Sequence, residues 1–357
     1  MRGRCRAGPM LLKPAAALLL AAAAAQKCTQ RCRNDCDACI LGYVIIGARK
    51  AGTTSLYRWI SAHPDAVGYG LDRGPRAGEV MYFNNDKLFP ATPVSCVNKC
   101  QQGRACVDGV CQPPHAWYAR QFPCVSKRKL AGESSVAYLV HADAPKRLAA
   151  YCPPALKVIA LLREPIARYE SQFRMRVRLK TRGYTGKSVA DFDMRRDVHT
   201  FCGVTRNQPQ WWKRPSPRGL FEPSRNGVYE GIYVAHLKRW ASAGFSVHAL
   251  FFEEFFVETT QADRLRDVLR YIGLDPTKTD AHAISKRKYN TRGAAFEELP
   301  RHAFSSFAQR RLAVLFGPYN AGLASFLGRR LPDAWARWPN ATGDACEEST
   351  WPRRPRW

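Results

Sequence analysis

Acid is what this chain lacks. Its 357 residues hold 29 Asp+Glu against 56 Lys+Arg, a formal net charge of +27 with His neutral. A surplus of that size implies an anionic partner: nucleic acid, acidic lipid, or an acidic polymer such as a sulfated or uronate-rich glycan. Also missing is any apolar run of about twenty residues, the length of a helical span. The longest, 15–25, covers about eleven residues and is broken on its early side by Pro14, which excludes a multi-span membrane protein. There is no internal repeat and no low-complexity tract beyond that run. With 46% apolar and 24% charged residues, a collagen-like fibre and a disordered tail protein are excluded as well. The two CxxC pairs usual in zinc sites are absent, since Cys28, Cys32, Cys36 and Cys39 run CxxxCxxxCxxC. That leaves disulfides as the main reading of residues 28–39 and a metal site as the alternative.

What is present at the N-terminus points to a compartment. Arg2, Arg4, Arg6 and Lys13 stand before the Ala/Leu run without any acid. Basic flank, short apolar stretch and small residues read as a secretory signal peptide or short signal anchor over 1–25, leaving the rest lumenal. Of the 13 Cys, one (Cys5) lies in the leader. The others cluster at 28–39 and at Cys96, Cys100, Cys106, Cys111 and Cys124, with Cys152, Cys202 and Cys346 scattered, as in a disulfide-bonded lumenal protein. Asn340-Ala-Thr342 is a candidate glycosylation site.

Behind a Cys-rich lead-in (26–42), the pattern is strand, loop, helix, three times over. YVIIG (43–47) precedes helical text at 53–62; KVIALL (157–162) precedes 166–180; VHALFF (247–252) precedes an amphipathic helix at 262–272. This predicts an α/β fold, a parallel sheet with crossover helices. Residues 96–124 read as a disulfide-stapled surface insertion. A last helical stretch, 300–327, is expected to break near Gly317-Pro318; 339–357 reads as a C-terminal tail whose last residues, WPRRPRW (351–357), are expected to be disordered.

The informative segment is GARKAGTTSLY, 47–57. It leaves a strand and opens a helix, where backbone N–H groups and the helix dipole make an anion site. Gly47 and Gly52 have the G-x4-G spacing of a nucleoside-triphosphate loop, but Thr53-Thr54 stand where that loop needs Lys-Ser/Thr, and the lysine, Lys50, sits inside. ATP chemistry is therefore disfavoured, although a kinase stays an alternative.

KAGTTSL after an apolar strand resembles the 5′-phosphosulfate loop of sulfotransferases, which use 3′-phosphoadenosine 5′-phosphosulfate (PAPS). That family's second signature, a strand ending in Arg, then Pro, then a Ser eight residues past the Arg, is matched by LLREPIARYESQF, with Arg163 and Ser171. GEVMYFNN, WYARQFP, GESSVAYL, NGVYEGIYVAHLKRW, KRKYNTRG and LFGPYNAGLASFLG resemble segments of Golgi glycan sulfotransferases, most of all the heparan-sulfate and chondroitin/dermatan branches. The resemblance spans 43–338 apart from 96–124, and implies a single P-loop-like sulfotransferase domain.

By resemblance, Lys50 contacts the bridging oxygen of PAPS. Arg49 and the loop Ala51, Gly52, Thr53, Thr54 and Ser55 hold its 5′-phosphate. Arg163 and Ser171 take the 3′-phosphate, and Lys286, Arg287, Lys288 and Tyr289 close over the nucleotide. Glu79, just before an aromatic pair, occupies the place of the catalytic base. The chain departs from the family at Glu133-Ser134-Ser135, where Glu-Lys-Ser is usual, which puts the acceptor in question. Glu133 is expected to orient the acceptor or to pair with a nearby Lys or Arg. Arg174 and Arg176, in FRMRVRLKTR, are candidates for an anionic acceptor track or a solvated basic face, since every-second spacing does not make one helical face. No metal is implied. The implied partner is an anionic glycan rather than nucleic acid, because interleaved aromatics for base stacking are missing. The membrane is met only through the leader. Two alternatives to a Golgi-lumenal glycan sulfotransferase remain beside the kinase: a basic, Cys-rich polyanion-binding protein on a vestigial nucleotide fold, and a protein-tyrosine sulfotransferase.

Overall fold

Continuous apolar text, rather than alternation, marks the centre of the fold. In β1 (Leu41–Gly47), Tyr43, Val44, Ile45 and Ile46 are all fully buried, as in a strand covered on both faces. Each aliphatic side chain so withdrawn from water contributes about 1.5–3 kcal/mol before entropy is counted. The computed structural model describes residues 40–71, 77–86, 89, 106–107, 110–111, 115–119, 121–122, 129–181, 190–207, 226–287, 289, 305–336, 343–344 and 346–347. At 106–107, 110–111, 116–117, 176–181, 190–193 and 204–207 only the backbone is described. The leader, Cys28–Cys39 segment, Cys96, Cys100, Cys124, Lys288 and Asn340 lie outside the described residues.

From β1 the chain runs through α1 (Thr53–Ser61), β2 (Ala66–Gly68), a hairpin of β3 (Cys106–Val107) and β4 (Val110–Cys111), α2 (His115–Ala119) and β5 (Leu130–Glu133). There follow α3 (Ala144–Tyr151), β6 (Lys157–Leu162), α4 (Pro165–Thr181), α5 (Ala190–Asn207), α6 (Gly227–Glu230) and α7 (Tyr233–Ser242). The last elements are β7 (Val247–Phe251), α8 (Phe252–Phe255), α9 (Gln261–Tyr271), α10 (Ala281–Ser285) and α11 (Ser306–Leu327).

One parallel sheet runs β2-β5-β1-β6-β7. β1 has β5 on one side and β6 on the other, so the winding reverses at β1. In open α/β sheets, the carboxyl ends of the strands at such a switch point form the ligand crevice.

The three expected strands are present as β1, β6 and β7, with Phe252 already helical. β2 and β5 carry too few residues for a periodicity to be read and contain Gly68 and Gly132. The expected break near Gly317-Pro318 is absent: α11 is continuous with Pro318 inside it. Leu312, Leu315 and Phe316 before the proline and Leu323 after it are all buried, so packing on both sides outweighs the missing backbone donor. Part of the 96–124 segment, expected at the surface, is core: Tyr118 is fully buried. Cys202 of α5 is disulfide-bonded to Cys346, and Cys152 is disulfide-bonded too. Among the described residues no helix is long and apolar enough to cross a membrane.

His236 of α7 is fully buried with Nε2 at 2.9 Å from the Tyr229 carbonyl. Burial, with Arg239 and Arg168 adding, pushes its pKa down to about 3. Below its ordinary 6.5 the unfolded chain binds a proton that the folded chain refuses. This contribution is therefore whole above pH 6.5 and fades as pH falls toward 3, at up to about 1.4 kcal/mol per pH unit. Urea unfolding should show a shallower loss of stability between pH 6.5 and 4.5 in His236→Gln than in the wild type; equal slopes would refute this.

Candidate functional site

At the switch point, β1 turns into α1 through residues 48–52. Lys50 adopts φ 68 and Gly52 φ 89, both left-handed. Glycine is required at 52, where a Cβ would lie 2.5 Å from the Phe256 ring. As N-cap, Gly52 brings no side chain to the helix start, and the first turn of α1 has no acid. The first N–H groups of a helix lack intrahelical partners, and the dipole adds about half a positive charge there. This end of α1 therefore fits an anion. Ala51 and Thr53 are buried, Thr54 and Ser55 half-buried beside it.

The second junction is hydrogen-bonded to the first. Arg163, the residue after β6, donates from Nη1 to the Lys50 carbonyl at 3.1 Å, and its guanidinium lies 4.5 Å over the Phe252 ring. Burial holds its pKa below the usual arginine value; the charge persists at neutral pH regardless. Glu164 caps α4 by accepting from Ile166 and Ala167 N–H at 2.9 and 2.6 Å. Burial pushes Glu164 up to about 7, against the pull of those two amides. Lys50 Nζ lies 3.7 Å from Met175 Sδ, a weak acceptor. Ser171, half-buried, stands one helical turn before Met175 on the same face of α4. Arg174 is half-buried on α4; the Arg176 side chain lies outside the described ones.

Arg49 turns to Glu230 of α6, donating to Oε1 at 3.2 Å. Glu230, only 2% exposed, also accepts from Arg168 Nη1 at 3.2 Å and Gln172 Nε2 at 3.0 Å. The phosphate-type loop is thus bound to α4 through a buried ionic cluster. An acid set in apolar text, VYEGIYV, is the sequence signal that could have found it.

Lys286 and Arg287 follow α10, and Arg287 and Tyr289 lie against α1. The Arg287 carbonyl accepts from Trp59 Nε1 at 3.0 Å, and Arg58 stands 4.9 Å over the Tyr289 ring. Lys286 and Arg287 are exposed and Tyr289 half-buried.

Half-buried Glu79 sits on a strap, 77–83, at the carboxyl end of β5. Gly78 carries φ 86, and a Cβ there would come within 2.6 Å of the Tyr57 ring, so the strap reaches this depth only with glycine. The Gly78 carbonyl accepts from Ser134 N–H at 2.8 Å. Glu133 is fully buried and does not pair with Lys or Arg as expected. The hydroxyls of Tyr118, Ser135 (2.6 Å) and Tyr138 (3.0 Å) hold it instead. Burial pushes its pKa up to about 7, with those three donors and the Val80 amide opposing.

No family model matches the chain. It is 24% identical over 240 residues to mouse (Mus musculus) heparan sulfate glucosamine 3-O-sulfotransferase 3B1, covering 67% of this chain and 47% of that protein. It is 23% identical over 245 residues to mouse bifunctional heparan sulfate N-deacetylase/N-sulfotransferase 4, covering 68% of this chain and 23% of that protein. The chain thus spans about half or less of the length of these relatives. Among solved structures, a sulfotransferase from Alicyclobacillus acidocaldarius superposes with a TM-score of 0.54 at 22% identity, covering 83% of this chain and 99% of that one. The parallel sheet thus has the fold of a sulfotransferase of known structure, and the curated proteins the chain resembles are sulfotransferases of heparan sulfate.

Proposed function

We propose that the chain transfers a sulfuryl group from PAPS to a hydroxyl or amine of a glycosaminoglycan-like anionic polysaccharide, by in-line displacement. The observation that carries this reading is the 3.1 Å hydrogen bond from Arg163 to the Lys50 carbonyl. It joins two anion-seeking strand-to-helix junctions into one crevice, as a donor with phosphates at both its 3′ and 5′ positions requires. The N–H groups at the start of α1, with Thr53, Thr54 and Ser55, take the 5′-phosphate; Arg163 and Ser171 take the 3′-phosphate. The Lys50 ammonium neutralises the oxygen that carries charge as the sulfur–oxygen bond to the phosphate breaks. Glu79 accepts the acceptor's proton as the new bond to sulfur forms, and 3′,5′-adenosine bisphosphate leaves. The exposed Lys286 and Arg287, with Arg174, offer cations to the nucleotide and to the glycan. The Cys202–Cys346 disulfide, together with the leader, supports a lumenal, Golgi-type compartment.

The test offers labelled PAPS with desulfated heparan, chondroitin, dermatan and neutral glycans, alongside titration with 3′,5′-adenosine bisphosphate. Label on an anionic glycan supports the proposal. Binding of heparin-like chains without the bisphosphate points to the polyanion-binding protein, and Mg2+-dependent ATP turnover to the kinase. Glu79→Gln should lower turnover by about 10²–10⁴-fold with bisphosphate affinity kept within about twofold; full turnover would move the base elsewhere.

A further inference from the structure

The four backbone N–H groups that follow Glu79 all lead to one carboxylate. Val80 donates to Glu133 directly. Met81 donates to Ser135 Oγ at 2.8 Å, and that hydroxyl donates to Glu133 Oε2 at 2.6 Å. Tyr82 and Phe83 donate to the Tyr138 hydroxyl at 3.0 and 3.3 Å, which in turn donates to Glu133 Oε1 at 3.0 Å. Tyr118, from the 96–124 segment, supplies a further hydroxyl to Oε1. Glu133, Ser135, Tyr138 and Tyr118 are each fully buried, so water does not compete for these bonds.

The direction of each bond follows from the carboxylate. An ionised Glu accepts only, whereas a hydroxyl has one proton and two lone pairs. While Glu133 is ionised, Ser135 and Tyr138 spend their protons on it and present lone pairs to the strap. Met81 sits at φ 58, a conformation that non-glycine residues rarely take unless their surroundings impose it.

We propose that Glu133 is the positioning residue for the base: through Ser135 and Tyr138 it fixes the strap that carries Glu79, and so sets where that carboxylate meets the acceptor. This rests on the reading of Glu79 as the base. Glu133 touches neither donor nor acceptor; it orders the backbone one residue away from the group that does.

A double-mutant cycle tests it. Glu133→Gln keeps the side-chain size but puts an NH2, which cannot accept, where a carboxylate oxygen received a hydroxyl or amide proton. It should lower kcat by about 10–100-fold, leaving the KM for PAPS and the affinity for 3′,5′-adenosine bisphosphate within about twofold. In the Glu79→Gln background the same substitution should cost less than about twofold, because the group being positioned is already gone. Ser135→Ala removes a single relay and serves if Glu133→Gln does not fold; it should show a smaller kcat loss with the same dependence on Glu79. Equal losses with and without the Glu79 carboxylate, or bisphosphate affinity lost in step with turnover, overturn the positioning role and leave the sulfotransferase proposal standing. A wild-type chain that transfers no label from PAPS overturns both.

Discussion

Replacing Lys50 by alanine is expected to cut sulfuryl transfer by about a thousandfold or more while 3′,5′-adenosine bisphosphate still binds. Removing one neutral donor from a preorganised site costs about 10²–10³ in rate, and charge-assisted bonds are roughly twice as strong as neutral ones. Binding survives because most of the cradle is backbone. The start of α1 has no capping side chain to displace, and the Lys50 carbonyl that Arg163 grips at 3.1 Å remains after truncation. Alanine at φ 68 bears about the same backbone strain as lysine, so the loop keeps its course. Single-turnover transfer of labelled PAPS and a calorimetric titration with the bisphosphate separate the two effects. An active Lys50→Ala chain would sink the proposed chemistry, and loss of binding in step with rate would make Lys50 a ligand of the ground state.

Glu230→Ala should be the most destabilising of the substitutions considered, by about 3–5 kcal/mol in urea unfolding with disulfides intact. It leaves the Arg168 guanidinium, fully buried, without its counter-ion, and it releases Arg49 from the loop. Arg168 keeps Gln172 at 2.8 Å and the Gly227 carbonyl, which limits the loss without supplying charge. An exposed pair provides the contrast. Asp267 and Arg270, with side chains 58% and 59% exposed, should lose no more than about 0.5 kcal/mol on Asp267→Ala. A midpoint shift with unchanged m-value is expected for Glu230→Ala. A loss below about 1 kcal/mol would show that water reaches the cluster.

Much of the fold and of the donor side of the site is legible in the sequence because it is local. YVIIG and KVIALL are central strands, and such strands read as unbroken apolar text. The loop between Gly47 and Thr53 declares itself through glycine spacing and a strand-to-helix change of period, and Arg163 through its place at a strand end. Lys50 and Arg163 could be singled out because these local patterns resemble the family's two donor-binding signatures. The acceptor side is less legible. Glu133 looks like one more acid after a short strand, and nothing in GESSVAYL says that its carboxylate is the hub of the Glu79 strap. β5 is four residues long, and Tyr118, which completes the hub, comes from a segment that reads as surface.

By itself, then, the sequence determined a parallel α/β sheet, two strand-to-helix junctions marked by Lys50 and Arg163, and a basic chain lacking acid to offset it. Each of these depends on neighbours a few residues apart. Only the tertiary structure decided that the two junctions meet, Arg163 upon Lys50 across a separation of 113, and that Arg49 answers to Glu230 across 181. It also decided that Glu133 is buried and held by three hydroxyls, not paired with Lys or Arg. Burial is what separates the two kinds of knowledge. A carboxylate's role depends on which donors surround it once water is gone, and those donors are brought together by the crossover connections of the sheet, not by their order along the chain.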